Sequence, residues 1–550
     1  MFQEKIPNNQ EYQQKCSSCW VWGAILIIIL LTALIRIHLL QVPLERDEGE
    51  YAYAGQLILQ GILPYTEVYN MKMPGIYAAY ALILSLFGQT HTGIHLGLLL
   101  VNTASIILIF LLGKKLFDPL TGVVAGASFA VSSLSQSVQG VFANTEHFVI
   151  LFAVGGILLL LRAIDDNRMK PLFLSGLLLG LAFMMKQHGA FFIAFSGIYL
   201  LYSQLTRRPI DWKNCVLKFI LFSIGVMIPF GLTCLVFFFN GIFDRFWFWT
   251  FVYAREYVSI VPFSLGLTIL KYNILNILSS SFFIWVLAGI GLASTIWNKR
   301  FRSLRFFIIT FFIFSFLSVC IGFYFRPHYF VLLLPAIALL AGVGISSIGG
   351  LFSETKSLTL KRGILILLVV IPLTFSIYRE RKFLFQMNPN EASRSIYGLN
   401  PFPESLEIAE YIKKHTSKND RIAVIGSEPQ IYFYSQRRSA TGYIYTYPLM
   451  EPHKYALKMQ QEMIQEIESV SPKILVFVRV LGSWASSWGL NRESERLIFF
   501  WFQQYVEKYY EMVGVVDIIT PEKTVYKWGD KSIKYTPVSK AFLFILKRKE

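Results

Sequence analysis

Run after run of this chain is apolar over about twenty residues, the length needed to cross a bilayer core of about 30 Å. The first run extends from Trp20 to about Val42. In lipid every backbone amide and carbonyl needs a partner within the protein, so such runs form helices. Further spans are expected at about 93–113, 119–138, 145–162, 171–186, 188–205, 215–240, 268–297, 304–325, 328–349 and 363–378. The composition agrees: 54% of the 550 residues are hydrophobic and 15% are charged, where soluble domains carry about a quarter charged residues. A soluble enzyme, a disordered protein and a coiled coil are excluded. The first run has no small-residue cleavage site and many spans follow it, so it reads as a retained helix.

The formal net charge is +17. In a membrane protein such an excess lines the cytoplasmic loops, and no basic, aromatic-interleaved module points to nucleic acid. Lys114-Lys115, the stretch Arg162–Lys170, Arg207-Arg208 with Lys213, the stretch Lys299–Arg305, and Lys356 with Lys361-Arg362 all fall on one side if the N-terminus is cytoplasmic and Ile76–Phe87 does not cross. Ile76–Phe87 then lies along the outer interface. The rule gives about eleven transmembrane helices, with the C-terminal region outside. Arg379, Arg381 and Lys382, after the last span, run against it.

The expected organisation is a cytoplasmic tail over 1–18, a transmembrane module over 19–382 with an outer loop at 43–92, and a soluble extracytoplasmic α/β domain over 383–550. In that last region charges become frequent and apolar runs shorten. Helices are expected at Ser405–His415, Pro452–Glu468 and about Glu493–Tyr509. Strands are expected at Arg421–Gly426, Ile474–Val480, Val513–Ile519, Thr524–Trp528 and Ala541–Leu546. Five cysteines make no disulfide framework. Cys215, Cys234 and Cys320 sit in apolar runs, and Cys16 with Cys19 forms a lone CxxC, a weak redox or metal signal.

The chemistry lies at the outer ends of the spans. Glu45-Arg46-Asp47-Glu48-Gly49-Glu50 follows the first span; Asp47 or Glu48 there serves equally as an N-cap ahead of Tyr51–Gln60. Lys72 precedes Pro74 at the start of the interfacial helix, placed to meet a phosphate or to snorkel. Glu146 heads a span, where an acid also suits the helix dipole. Lys186 lies at a tight turn between apolar helices, a costly place for a charge. Arg326 and His328 join two later spans. Asp47, Glu48 and Glu146 thus share a face with Lys72, Lys186, Arg326 and His328. Such a face can hold a lipid phosphate on its bases while a carboxylate deprotonates an attacking group.

These residues, in this order, resemble the GT-C fold glycosyltransferases that use polyprenyl-phosphate sugars, in particular the protein O-mannosyltransferases and the bacterial lipid A aminoarabinose transferases. The resemblance rests on Arg46-Asp47-Glu48-Gly49-Glu50-Tyr51, Lys72-Met73-Pro74-Gly75, Asn144-Thr145-Glu146, Gly180–Lys186 with Gly189, and Arg326–Phe330 leading into Leu334-Pro335. It covers about the first 350 residues. It implies an inverting single displacement at the outer face of a bacterial plasma membrane, from a polyprenyl-phosphate-linked hexose or pentose to a lipid, glycan or protein acceptor. Asp47 then falls on the general-base position. Glu146 falls on a second acidic position that binds acceptor or shares the base role. Lys72, Lys186 and His328 fall near the donor phosphate. Relatives often have Lys-Pro-Pro, and some have a metal-binding acid before that lysine. Here Met71 and Met73 flank Lys72, so no cofactor is expected, although a divalent metal stays open. The segment Asn240–Pro262, rich in aromatics, suits a lid over the site or an interfacial belt. The alternative reading is a flippase or transporter of lipid-linked sugars. It is disfavoured by the lack of internal repeats and of midplane polar residues.

Overall fold

Seven helices among the described residues are long and apolar enough to cross a bilayer: Trp20–His38, His91–Leu116, Thr145–Asp166, Trp212–Phe239, Phe301–Val319, Leu334–Leu351 and Thr359–Arg379. An eighth span forms if Phe243–Val258 and Phe263–Ser280, bent by 90°, count together. The structure, a computed structural model, describes residues 9–207, 209–351, 357–484 and 496–550. Residues 1–8 of the tail, Arg208, Lys356 and the first turn expected at about 493 lie outside the described residues, as do the side chains of Cys16 and Cys19.

The expected count of about eleven is not reached on length and composition. The single span expected at 268–297 is two helices, Phe263–Ser280 and Phe282–Trp297, because Ser281 leaves the helical region at φ −135°, ψ 38°. Pro119–Ser132 has 14 residues and Met169–Met185 has 17, and 3₁₀ turns at Gln136–Val138 and Gln187–Gly189 follow them. Helices inside a bundle can be this short because their ends meet protein rather than lipid. Pro74–Phe87 does form the short helix expected beside Lys72, with Pro74 in its first turn.

Glycines bring the helices together. A Cβ on Gly176 would stand 2.3 Å from the Phe222 carbonyl oxygen, so Met169–Met185 crosses Trp212–Phe239 backbone to backbone. Gly344 meets the Leu287 carbonyl oxygen at the same distance of 2.3 Å, which closes Phe282–Trp297 onto Leu334–Leu351. Lipid tails are as apolar as side chains, so close van der Waals packing of this kind carries much of the association.

The basic loops gather at one end. Lys115 pairs with Asp165 at 2.6 Å, Arg207 donates to the Ile164 carbonyl at 2.6 Å, and the Phe117 ring meets Phe301 at 5.5 Å. The helix Thr145–Asp166 runs from there to Glu146 at the opposite end, where residues 45–51, 69–75, 186–189 and 326–330 also lie.

That opposite end carries a six-stranded sheet in the order β2-β1-β3-β6-β4-β5. The strands are β1 Arg421–Ile425, β2 Arg438–Ser439, β3 Ile474–Arg479, β4 Tyr510–Thr520, β5 Lys523–Trp528 and β6 Phe542–Arg548. β1 pairs in parallel with β2 and β3, and the remaining pairs are antiparallel. Ile474, Leu475 and Val476 of β3 are fully buried, as expected of an apolar central strand covered on both faces. The two-residue β2 has no alternation to reveal it in sequence. Helices Glu404–His415, Ala456–Val470 and Arg496–Tyr509 pack with the sheet.

Candidate active site

The helix after the first span begins earlier than the sequence suggested. It runs Arg46–Leu59, and its N-cap is Glu45, not Asp47 or Glu48. Glu45 accepts from the Glu48 amide at 3.0 Å and Glu48 accepts from the Glu45 amide at 3.3 Å, a capping box. The next residue on the helix, Gly49, sits against the C-terminal domain: a Cβ there would stand 2.6 Å from the Gln430 amide nitrogen. That contact fixes the first turn, with Asp47 turned toward the cavity.

The Lys72 ammonium donates to Asp47 Oδ2 at 3.1 Å and to the Tyr51 hydroxyl at 3.1 Å. Lys72 reaches this position because Gly75 abuts the end of Met169–Met185; a Cβ on it would meet the Met184 carbonyl oxygen at 2.4 Å. The same approach draws in Lys186, which donates to Glu146 Oε1 at 2.5 Å and lies 4.0 Å over the Tyr329 ring. His328 Nδ1 lies 2.9 Å from Gln139 Oε1, and Arg326 donates to the Tyr257 hydroxyl at 3.4 Å.

These groups border a cavity with about 950 Å³ of space, part of it open to solvent. Asp47, Lys72, Lys186, Arg326 and His328 all line it. Glu146 stands behind Lys186, fully buried. Glu48 points elsewhere: Oε1 accepts from the Ala143 amide at 2.6 Å and lies 3.1 Å from His95 Nε2. It braces the helix against the turn before Glu146 and has no face on the cavity.

Electrostatics set the protonation states. Burial pushes the Asp47 carboxyl up, but Lys72, then His328 and Arg326, reverse this and hold it well below the usual carboxylate range. Burial lowers Lys72, yet Asp47 and Glu50 raise it above its ordinary value, so it stays an ammonium. Burial, with Lys186 and Arg326 adding to it against the pull of Glu146 and Asp47, brings His328 down to about 4. Near neutrality His328 is therefore an uncharged partner. Glu50 is pushed up to about 7 by burial, although Lys72, the Tyr77 hydroxyl and Asn70 favour its charged form.

A metal fits this donor set poorly. Asp47 and Glu146 each already carry a lysine ammonium. Among the described residues no group of three His, Cys, Asp or Glu side chains is placed to hold a metal ion.

Part of the wall comes from the C-terminal domain, to which the sequence assigned no such role. Tyr445, Tyr447, Pro448 and Glu451 of the C-terminal domain line the cavity, and the Tyr445 hydroxyl stands 3.5 Å from Asp47 Oδ1. The alternation of tyrosines at 443, 445 and 447 was the available signal. Tyr253 and Tyr257, from within Asn240–Pro262, complete the wall, and the Tyr253 hydroxyl donates to Glu451 Oε2 at 2.5 Å.

The helical module, with its outer loops gathered around one cavity under an α/β domain, has the GT-C fold of integral-membrane glycosyltransferases. The archaeal oligosaccharyltransferase AglB from Archaeoglobus fulgidus, solved with an inhibitory peptide and a dolichol-phosphate, superposes with a TM-score of 0.54. The identity is 11%, over 94% of this chain and 75% of that one. ArnT from Cupriavidus metallidurans bound to undecaprenyl phosphate gives a TM-score of 0.52 at 16% identity, over 83% of this chain and 93% of that one. At such identities the likeness is one of fold. Residues 72–232 match the family model described as dolichyl-phosphate-mannose-protein mannosyltransferase. The sequence matches no curated protein.

Proposed function

We propose that this protein is a membrane glycosyltransferase that moves one sugar from a polyprenyl-phosphate carrier to an acceptor outside the cytoplasm, with inversion at the anomeric carbon. The observation that carries the reading is the cavity itself, where the Asp47 carboxylate faces the cations Lys72, Lys186 and Arg326. The solved structures of AglB and ArnT that share the fold hold dolichol-phosphate and undecaprenyl phosphate, which supports a polyprenyl phosphate as the donor's lipid. The basic loops meet at the far end of the bundle, which supports an extracytoplasmic site and C-terminal domain.

Asp47 is the base. As the acceptor hydroxyl or amine attacks the anomeric carbon, Asp47 takes its proton. The new bond forms on the face opposite the departing phosphate, and the carbon–oxygen bond to phosphate breaks with its electron pair left on that oxygen. Lys72, Lys186 and Arg326 compensate the charge that develops there, and uncharged His328 hydrogen-bonds the same group. Held so low in the free protein, Asp47 is a weak base. An incoming donor phosphate competes for Lys72 and frees Asp47, so donor binding switches the base on. Glu146 holds Lys186 in place. Glu48 positions the helix that carries Asp47.

Release of free polyprenyl phosphate from a panel of polyprenyl-phosphate hexoses and pentoses, with membrane glycolipid extract as acceptor and mass spectrometry as readout, tests the reading. Wild type is expected to release it from one donor and Asp47→Asn from none. Equal release by both removes Asp47 as base. No release from any donor, by a protein shown to be folded, sinks the glycosyltransferase reading.

A further inference from the structure

Beside the catalytic cavity lies a second recess with about 1190 Å³ of space, between the outer segment 243–258 and helix Ala456–Val470. Its floor is three packed rings: Trp249 stacks on Tyr69 at 5.9 Å, and Tyr443 meets them edge-on at 6.0 Å and 5.1 Å. Phe248 and Tyr455, 5.1 Å apart, form a partly open wall. The floor is locked. The Tyr69 hydroxyl donates to Glu466 at 3.1 Å, its amide donates to the Gly442 carbonyl at 2.9 Å, and the Tyr443 hydroxyl donates to Glu462.

The recess adjoins the catalytic cavity along three segments. Tyr69 precedes Asn70, Trp249 lies one helical turn before Tyr253, and Tyr443 lies two residues before Tyr445. Asn70, Tyr253 and Tyr445 all line the catalytic cavity. A ligand seated in the recess therefore lies next to the place where Asp47 acts.

The lining selects a chemistry. Asp244, Glu462 and Glu466 are offset, all but one charge, by Arg245 and Lys458, so neither a polycation nor a polyanion gains much from the field. The carboxylates and Gln465 make a costly surround for an acyl chain. Aromatic walls with a few fixed polar groups suit a ligand whose faces are apolar and whose edge carries hydroxyls. A pyranose ring has that form.

We propose that this recess is a carbohydrate subsite, which holds the distal sugars of a glycan acceptor while its terminal hydroxyl reaches Asp47. The assignment of the terminal hydroxyl rests on the glycosyltransferase reading above; the binding of sugar does not. Isothermal titration of the purified protein with neutral trisaccharides of glucose, mannose and N-acetylglucosamine, each free and lipid-linked, tests it. At least one is expected to bind, with affinity weakened about tenfold or more in Tyr455→Ala and Glu462→Gln. In transfer assays the same variants should raise KM for the glycan acceptor and leave KM for the donor unchanged. Binding of the lipid-linked form alone assigns the glycan to a glycolipid; binding of both forms makes the sugars themselves sufficient. No binding by any trisaccharide, binding that both variants leave intact, or binding of a lysine-rich peptide in place of sugar overturns the subsite. If sugar binds normally but no polyprenyl phosphate is released from any donor, the subsite stands and the catalytic reading fails.

Discussion

Lys72 shares one ammonium between the Asp47 carboxylate and the Tyr51 hydroxyl, at 3.1 Å each. Because Asp47 is held well below the usual carboxylate range, it is charged across the whole working pH range, and this pairing stabilises the fold at any pH above the ordinary carboxylate value. The contribution fades only as pH falls through the depressed value. In Lys72→Met, burial acts on Asp47 without its hydrogen-bonded ammonium, and only the more distant Arg326 and Lys186 oppose it near neutrality. The acid limb of kcat/KM, out of sight in wild type, should move up into the range above about pH 4. We expect kcat/KM to fall by about 10²–10³ from the lost phosphate contact, and Asp47→Asn to cost about 10³ or more. A Lys72→Met profile that keeps its acid limb where wild type has it would falsify the coupling.

Arg46 joins the membrane module to the C-terminal domain. Its guanidinium donates to the Ser427 carbonyl at 2.6 Å, Asn400 at 3.0 Å, the Tyr447 hydroxyl at 3.0 Å and Glu428 at 3.1 Å. Glu428 is fully buried, so Arg46→Met leaves a carboxylate without its cation. Thermal unfolding in detergent should show a loss of about 3–5 kcal/mol, much of it regained in Arg46→Met/Glu428→Leu, because the stranded charge rather than the lost pair sets the cost. A double variant no better than the single one would show that the pair itself is what counts.

The sequence made the site legible where physics leaves a local mark. Charges at the ends of apolar runs are costly, and Asp47, Lys72, Lys186, Arg326 and His328 all meet at one cavity. Glu48 shows the limit. Its spacing from Asp47 says nothing of the His95 ring and Ala143 amide, contributed by residues distant in sequence, that take up its oxygens. The single span expected at 268–297 was divided at Ser281, since one residue leaving the helical region breaks a run that reads as continuously apolar. Tyr445 and Glu451 were hidden because their partners, Asp47 and Tyr253, lie some two hundred residues or more away in the chain.

Transfer should proceed without a divalent cation. Asp47 and Glu146 are each neutralised by a lysine, and a metal bound at either would have to displace that ammonium. Dialysis against EDTA, followed by manganese or magnesium, is expected to leave the rate unchanged at each step. Loss of transfer on chelation, recovered on adding the metal back, would show that Lys72 or Lys186 gives way to a cation when substrate binds.

The contact that Glu451 makes with Tyr253 should be sensitive to pH. Glu451 comes from the C-terminal domain, accepts from the Tyr253 hydroxyl of the outer segment at 2.5 Å, and is pushed up to about 7 by burial, which outweighs the Tyr253 bond and Arg326. A carboxyl whose folded value lies above its unfolded one binds its proton more tightly in the native state. Its contribution is therefore full below about pH 4.5 and is lost as pH rises toward 7. The loss is on the order of 3 kcal/mol at most, since each tenfold gain in proton affinity is worth about 1.4 kcal/mol. Glu451→Gln keeps an acceptor for Tyr253 and removes the titration. Between pH 5 and 8 its Tm should fall less steeply than that of wild type, with the two proteins close at pH 5. Glu50, also near 7, adds a slope of the same sign that Glu451→Gln leaves in place, and Glu50→Gln removes it separately. Parallel Tm profiles for wild type and Glu451→Gln would show that Glu451 is already ionised across this range, with Arg326 rather than burial deciding its charge.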